Sequence, residues 1–587
     1  MNTAWYVYNK KADFYGLGAK LGVDPVIIRL MRNRDIIGEE AMQEYLDGGI
    51  EKLHDPHKLK DVEILTDILT EKFKENKSIR IIGDYDIDGV MSSYILMEGL
   101  SKFSDKISVQ IPNRMTDGYG LNVNLINEAY EDGVDTIITC DNGIAAIDEI
   151  AHAKELGMTV LVTDHHEIPC VIENGVKRYL KSEADAIVNP HQIDCPYPYK
   201  NLCGAAVAWK VICVLYEKMG RPVNDAMDLI ENAGFATVGD VMDLTGENRI
   251  LVKEALKRIR HTKNIGMQAL ISSCKIDKDK LDAYHFGFVL GPCINASGRL
   301  DTAKKSLSLF LEKNPLKAAE IASELVALNE ERKELTRKGV EEAIEIASSD
   351  EYKNDDVLVI FLPDVSESIA GIVAGRIREK FYKPVFVLTR GEECIKGSGR
   401  SIEGYSMFDE MNKCRDMFLK FGGHPLAAGL SMEESKVEPF RKKINELSDL
   451  TEEQLKEKIH IDLRLPVEYV SMDLIKQLNV LSPFGKANTK PIFVDKDLKV
   501  QKMSILGKNK NVLRLNLISE KGKRITAIYF GDIDDFREYY GEKYGYNEVE
   551  SALMGKNNKI LISMVYYPAI NAYNGNESIQ FQIQYYR

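Results

Sequence analysis

The chain has 587 residues, 44% of them hydrophobic and 28% charged, and 77 basic against 90 acidic side chains leave a formal charge of −13. That length calls for three or four domains. No stretch approaches the ~20 continuous apolar residues of a membrane span, and the acidic surplus argues against a general nucleic-acid coat while leaving room for a local basic groove.

Residues 1–6 lack a basic stretch followed by an apolar run, so no signal peptide is expected. Nine cysteines without a CxxC pair or regular spacing read as reduced thiols of a cytoplasmic protein, not as a disulfide frame or zinc site. Residues 1–60, with an apolar run at 25–30 and a helix-like stretch at 39–46, read as a small cap on the neighbouring α/β region. From 61 the pattern is α/β. A helix at 61–73 leads to a strand at 78–82 that empties into Asp84, Asp86 and Asp88. On an extended backbone their alternation places all three on one side. Gly89 then turns the chain into a helix. A second strand, 136–140, ends in Asp141-Asn142-Gly143, a third, 159–163, in Asp164-His165-His166, and a fourth, 186–188, in Asn189-Pro190-His191. Short β-rich runs alternating with helical periods imply a parallel sheet.

Residues 202–300 are helical and carry Asp240 behind an apolar helix. Residues 315–347 keep helical spacing with a charged face, either bridging two domains or lying on the surface of one. A second α/β unit begins at 356–361 and includes a small-residue helix at 368–376, a strand at 384–388 and a pair of Gly-rich loops. After 455, six short strands (459–463, 492–500, 512–517, 525–530, 560–566, 579–585) fit a small barrel such as an OB-fold. The expected organisation is a cap (1–60), a catalytic α/β lobe with a helical part (61–310), a connecting helix (311–350), a second α/β lobe (351–450) and a β-barrel (455–587).

Carboxylates crowded at strand ends repel one another unless cations neutralise them. Asp84, Asp86, Asp88, Asp141, Asp164, His165, His166 and Asp240 form an oxygen-rich set with imidazole and no thiolate. Such a set favours Mn²⁺, with Mg²⁺ as the alternative. Two ions about 3.5–4 Å apart would activate water and stabilise a leaving oxygen in phosphoester hydrolysis, and Asp141 is the candidate bridge. Singly, Asp-Asn-Gly reads as a turn and Asp-His-His as a capped helix start; three clusters at successive strand ends read as a metal site.

These motifs, Gly83–Gly89, Asp141-Asn142-Gly143, Asp164-His165-His166 and Asp240, resemble those of the DHH phosphoesterase family. Further stretches are similar to its RecJ branch of bacterial single-stranded-DNA-specific 5′→3′ exonucleases: residues 111–114, 118–120, 189–191, 202–205, 244–249, 290–299, 397–401, 421–424 and 574–580. The resemblance implies two α/β lobes (DHH and DHH-associated domains) joined by a long helix, plus a C-terminal OB-fold barrel. It implies metal ligation by Asp84, Asp86, Asp88, Asp141, His165 and Asp240, and a catalytic set of His166, Asp141 and Asp164, with His166 facing the scissile phosphate. Phosphate contacts would come from Arg114, Arg299, Ser398, Arg400 and His424, with Gly399, Gly422 and Gly423 letting the backbone approach. Tyr566, Tyr567 and Tyr573 would either stack on bases or fill the barrel. The implied substrate is single-stranded DNA and the implied work recombination and repair; a helicase and a single-stranded-DNA-binding protein are partners by analogy, and the chain is expected to be a monomer. Three departures stand out: Cys293 where the signature commonly has arginine, Met242-Asp243 after Asp240, and a 484–489 loop lacking its second glycine and proline. The competing readings are a phosphodiesterase of short oligonucleotides or cyclic dinucleotides and a non-catalytic DNA-binding scaffold.

Overall fold

A computed structural model describes residues 3–114, 117–118, 120–173, 176–573 and 575–587. Tyr119 and Asn574 lie outside the described residues, as does the side chain of Tyr573. The chain divides into two compact units, Lys52–Glu457, and Thr3–Glu51 with Lys458–Arg587.

The larger unit begins with a parallel sheet. Its strands Ile79–Ile82, Thr136–Cys140, Thr159–Thr163 and Ala186–Val188 fall where the β-rich runs placed them. A fifth, Ile107–Gln110, was not anticipated; it is an edge strand with a single fully buried residue, so its apolar signal is faint. The spatial order is Ile107–Gln110, Ile79–Ile82, Thr136–Cys140, Thr159–Thr163, Ala186–Val188, with every pairing parallel. Strand alternation sorts neighbours into two cores. Ile138, Cys140 and Leu161 pack with residues of the helices Ile87–Leu100 and Gly204–Lys218, whereas Ile137, Val160 and Val162 pack with Leu125 and Ile150. Full burial of each such aliphatic side chain contributes roughly 1.5–3 kcal/mol. The strand order reverses between Ile79–Ile82 and Thr136–Cys140, and the crevice at the carboxyl ends of such a pair is where open α/β sheets hold ligands.

The helix Pro315–Ala347 starts on Pro315 at its first position, with Asn314 accepting from the N–H groups of Leu316 and Lys317. At 1.5 Å per residue its 33 residues span roughly 50 Å. Its Ala318, Ala322 and Leu325 belong to the first lobe's core, while Ala343 and Ala347 belong to the core of the second. It is therefore the bridge and not a surface helix of one domain.

The second lobe is a mixed sheet in the order Lys420–His424, Ala427–Met432, Ile395–Arg400, Val385–Arg390, Leu358–Phe361. The Gly-rich stretches expected as loops are two of its strands, Ile395–Arg400 and Lys420–His424. Glycine weakens strands by propensity, but here close neighbours demand it: a Cβ at Gly399 would stand 2.5 Å from the Met407 sulfur.

In the smaller unit, Phe493–Leu506, Val512–Ile518, Arg524–Tyr529, Asn576–Tyr586 and Leu561–Tyr573 pair in that order, and Leu561–Tyr573 closes back on Phe493–Leu506. The expected strand at 459–463 is not a barrel stave. Glu457–Ile461 pairs with Thr3–Val7, and only Leu463–Arg464 joins the barrel sheet. The segment expected as a cap divides: Leu53 and Leu59 pack into the first lobe's core, whereas residues 3–51 belong to the same unit as the barrel. Val26, Ile27, Leu30 and Met31 of the helix Pro25–Asn33 share one core with barrel residues such as Phe493, Leu515 and Phe581. Tyr566 is buried with its hydroxyl donating to the Leu465 carbonyl at 2.7 Å, and Tyr567 is buried beneath the Lys490 ammonium, so both are barrel packing and not stacking platforms. Among the described residues no helix is long and apolar enough to cross a membrane, and all nine cysteines are free thiols.

Candidate metal centre

The chain leaves Ile79–Ile82 and meets the helix Ile87–Leu100 five residues on, so the three aspartates do not alternate along an extended strand as expected. Asp86 is instead the N-cap, its carboxylate accepting from the N–H groups of Asp88 (2.9 Å) and Gly89 (3.1 Å), and Asp88 lies in the first helical turn. A Cβ at Gly89 would collide with the Asp84 backbone, so glycine lets the helix start this close to the strand end. Asp88 is gripped by a second helix: both its oxygens accept from the N-terminus of Gly204–Lys218, at Gly204 N (2.6 Å) and Ala205 N (2.8 Å). Free N–H groups and the helix dipole favour a carboxylate there.

Asp141 follows Thr136–Cys140 in a left-handed conformation (φ 61°) that places its carboxyl over the crevice. Non-glycine residues adopt it rarely, and aspartate is among the few that tolerate it. A Cβ at Gly204 would stand 2.7 Å from Asp141 Cβ, so this glycine allows the helix terminus and the acidic turn to meet. Asp240 arrives from the C-terminal end of the helix Ile230–Gly239. His165 Nε2 lies 3.1 Å from Asp141, 3.5 Å from Asp88 and 3.8 Å from Asp240.

Three groups of donor atoms each lie within 4.8 Å of one another: Asp84, Asp86 and Asp141; Asp88, His165 and Asp240; and Asp141, His165 and His166. Every residue expected as a ligand falls in one of them, and Asp141 is common to the acidic and the imidazole groups. Burial first, and then the charge of Asp86, pushes the Asp84 carboxyl up to about 8. Burial and the charge of Asp88 raise Asp86, and burial with the charges of Asp88, Asp86 and Asp84 raises Asp141 well above the carboxylate range. Asp84 Oδ1 is buried without a hydrogen-bond partner among the described residues. An orphaned oxygen inside a mutually repelling, oxygen-rich cluster fits divalent cations.

Asp164 faces another way. Its carboxylate accepts from the N–H groups of Ile144 (2.9 Å), His165 (2.7 Å) and His166 (3.1 Å) and pairs with His166 Nδ1 at 2.7 Å. Burial opposes its charge, but the His166 hydrogen bond holds it below the ordinary value. Burial likewise opposes a charged His166, yet Asp164 pushes that imidazole up to about 9. Asp164 thus orients His166 and, among the described residues, belongs to none of the three donor groups.

The phosphate-binding expectations divide. Ser398 opposes Gly429, which opposes Gly422; Arg400, Ala427 and His424 form the next row, and Lys396, Ser431 and Lys420 the row on the other side. Alternation puts all nine on one face of the second lobe's sheet, with small residues in the middle and cations at both ends. Beta carbons at Gly422 and Gly429 would meet nothing within 4 Å, so the face is open there. Gly423 and Gly399 fall on the opposite face; Gly399 is buried there, and a Cβ at the exposed Gly423 would stand 2.7 Å from Ala428 Cα, so both glycines answer to close neighbours and neither lies on the polar face. Arg114 joins Lys396, Ser398, Lys420 and Gly422 around a cavity of about 400 Å³. Arg299 donates to the Ser368 carbonyl at 2.6 Å; burial first, then the neighbouring Arg114 and Arg332, lower it to about 10. A larger cavity, about 790 Å³, lies among Tyr94, Glu231 and Asn264 and touches none of the acidic strand-end groups.

Sequence reading missed Lys396 and Lys420, which only register brings beside Ser398 and Gly422. It also missed Asn295, whose side chain accepts from Ile87 N at 2.8 Å and pins the acidic turn. Cys293, on the same helix, is buried, its sulfur meeting Cys274 and Asn329.

The model of the DHH family N-terminal domain matches residues 78–233, that of the DHHA1 domain 354–449, and that of the RecJ OB domain 461–585. The chain is 31% identical to the single-stranded-DNA-specific exonuclease RecJ of Salmonella typhimurium over 95% of each chain. It is 33% identical to the Bacillus subtilis RecJ over 86% of its own length, and spans 63% of that relative. The crystal structure of RecJ in complex with Mn²⁺ from Thermus thermophilus matches with a TM-score of 0.82 at 25% identity, covering 100% of this chain and 80% of that one.

Proposed function

The chain belongs to the RecJ family of single-stranded-DNA-specific exonucleases, and on that premise we propose that it hydrolyses single-stranded DNA from the 5′ end to mononucleotides, in recombination and repair. The observation that carries this reading is the buried carboxylate cluster at the sheet's switch point, with Asp84 Oδ1 unsatisfied inside it. Two divalent ions, Mn²⁺ or Mg²⁺, held by Asp84, Asp86, Asp88, Asp141, His165 and Asp240 with Asp141 as the bridge, would supply the Lewis acidity that activates water and neutralises the reacting phosphate.

The chain's own groups supply the rest. Gly204 N and Ala205 N hold Asp88, and Asn295 holds the turn that carries Asp86. Asp164 fixes the His166 ring through Nδ1 and favours its charged form, which suits that imidazole as a partner for the scissile phosphate. Arg114, over the Tyr85 ring at 5.1 Å, and the open face bearing Lys396, Ser398, Arg400, Lys420 and His424 bind successive phosphates without reading bases. An enzyme that takes one strand at a time calls for a helicase to supply it and a single-stranded-DNA-binding protein to cover it, and we place its work in the cytoplasm.

The test is digestion of a single-stranded oligonucleotide labelled at either end, with Mn²⁺, Mg²⁺ or EDTA, beside Asp141→Asn. We expect metal-dependent shortening from the 5′ end that is lost with EDTA and reduced at least about 10³-fold in the variant. Asparagine keeps the left-handed backbone, so folding is retained. Intact long strands with rapid cleavage of dinucleotides would replace this reading by a small-substrate phosphodiesterase. DNA bound but never cut would replace it by a scaffold.

A further inference from the structure

Two cysteines that the metal centre does not use lie side by side in space. Cys274 ends the helix Ile265–Ser273 and is half-buried; Cys293, nineteen residues on, sits in the first turn of Gly291–Leu300 and is buried. Their sulfurs are 3.9 Å apart. A disulfide bond of ~2.05 Å therefore needs the sulfurs to close by only about 2 Å. Asn329 of the long helix donates toward the Cys293 sulfur at 3.5 Å, and the Cys293 thiol donates to the Val289 carbonyl at 3.3 Å. The hydrogen bond between them outweighs burial at Cys274 and, with the Lys333 ammonium, holds that thiol below its ordinary value, while the same bond and burial raise the Cys293 thiol, so Cys274 is the one that ionises first. A thiol of depressed pKa, reachable by solvent and next to a second sulfur, is the arrangement of a redox-sensitive pair.

We infer that Cys274 and Cys293 are a peroxide-reactive dithiol, in which Cys274 is oxidised first and Cys293 resolves it to a disulfide. The Cys274 thiolate attacks one oxygen of hydrogen peroxide; an S–O bond forms, the O–O bond breaks, and the departing hydroxide takes a proton to become water. The Cys293 sulfur then attacks the Cys274 sulfenic acid; an S–S bond forms, the S–O bond breaks, and the hydroxide leaves as a second water with the Cys293 proton. Two thiols and one peroxide thus give one disulfide and two waters.

The bond would act on the helix that organises the site. Gly291–Leu300 carries Asn295, which pins Ile87 N, and Arg299, which bonds the Ser368 carbonyl of the second lobe. Drawing Cys293 toward Cys274 loads both contacts. Losing the equivalent of one such hydrogen bond weakens binding about threefold to tenfold. That consequence rests on the exonuclease reading; the thiol chemistry does not.

The experiment treats the full chain with hydrogen peroxide in EDTA, blocks remaining thiols and maps peptides without reduction. We expect a Cys274–Cys293 crosslink that a thiol reductant reverses. Cys274→Ser removes the crosslink, and Cys293→Ala halts at a sulfenic acid on Cys274 that a dimedone probe traps. Anisotropy with a labelled oligothymidylate then reads a Kd raised about threefold to tenfold by oxidation in the parent and unchanged in Cys274→Ser. Both thiols still free while Cys170 or Cys394 is modified would overturn the dithiol. A crosslink with unchanged Kd would overturn its coupling to the site. Reduced protein that binds no single-stranded DNA would sink the exonuclease reading and leave the dithiol to be judged by the peptide map.

Discussion

Asp164 and Asp141 are both buried aspartates at the ends of adjacent strands, yet their carboxyls are driven in opposite directions. The difference lies in what surrounds each. Asp164 is met by three N–H donors and a cationic imidazole, Asp141 by four other carboxylates. A carboxylate that holds an imidazole's orientation acts on the rate and not on substrate binding. Asp164→Asn is expected to lower kcat by about 10²–10³-fold with KM for DNA little changed, as loss of one oriented charge-stabilising group at the reacting phosphate does. Steady-state kinetics on a labelled oligonucleotide separates the two; a raised KM at constant kcat would mean that Asp164 positions substrate instead. The DHH triplet was legible in the sequence as a cluster, and the resemblance implied separate roles for His165 and His166, but that Asp164 turns to Ile144 was not legible, because the hydrogen bond reaches another segment.

At the scale of elements, the Gly-rich strands of the second lobe carry the clearest separable prediction. Gly429 lies at the centre of the polar face, opposed on either side by Ser398 and Gly422, with nothing within 4 Å of an added Cβ. Gly429→Val gains strand propensity and meets no neighbour, so thermal stability is expected to hold or rise slightly while Kd for single-stranded DNA rises about tenfold, equivalent to ~1.4 kcal/mol. A melting curve beside a binding titration reads both; unchanged affinity would remove this face from the DNA path. The long helix Pro315–Ala347 and four strands of the parallel sheet were readable from periodicity. The edge strand Ile107–Gln110 and the two glycine strands were not, since their identity comes from neighbours and not from their own side chains.

Over the whole molecule, a chain of net charge −13 binds a polyanion through a local patch. If Arg114, Lys396, Arg400, Lys420 and His424 neutralise phosphates, log Kobs falls with log salt at a slope of about −3.5, at roughly −0.7 per contact. Lys396→Gln with Lys420→Gln is expected to reduce that slope by about 1.4. An unchanged slope in the double variant would place the phosphates elsewhere. A second prediction concerns stability. Burial raises Glu231 to about 7, although its hydrogen bond from Thr262 opposes the shift. The folded state therefore binds this proton more tightly than the unfolded state, and stability declines as pH rises from about 4.5 through 7. Glu231→Gln is expected to be more stable than the parent at pH 8, by up to about 3 kcal/mol, with the advantage gone by pH 5. Urea midpoints at the two pH values check the sign.

By itself the sequence determined where acids and imidazoles must sit relative to their strands, because a parallel βα order puts every strand's last residues at one edge of the sheet. It determined the succession of α/β pattern, long charged helix, second α/β pattern and short strands, because apolar periodicity is a local property; that the helix bridges the two lobes came from packing at its two ends. Tertiary structure alone decided that Asp240 reaches His165, that Lys396 and Lys420 flank Ser398 and Gly422, that residues 3–51 share the barrel's core and that Cys274 meets Cys293. Each of these rests on register or packing between segments distant in the chain, and no local pattern of side chains encodes such a pairing.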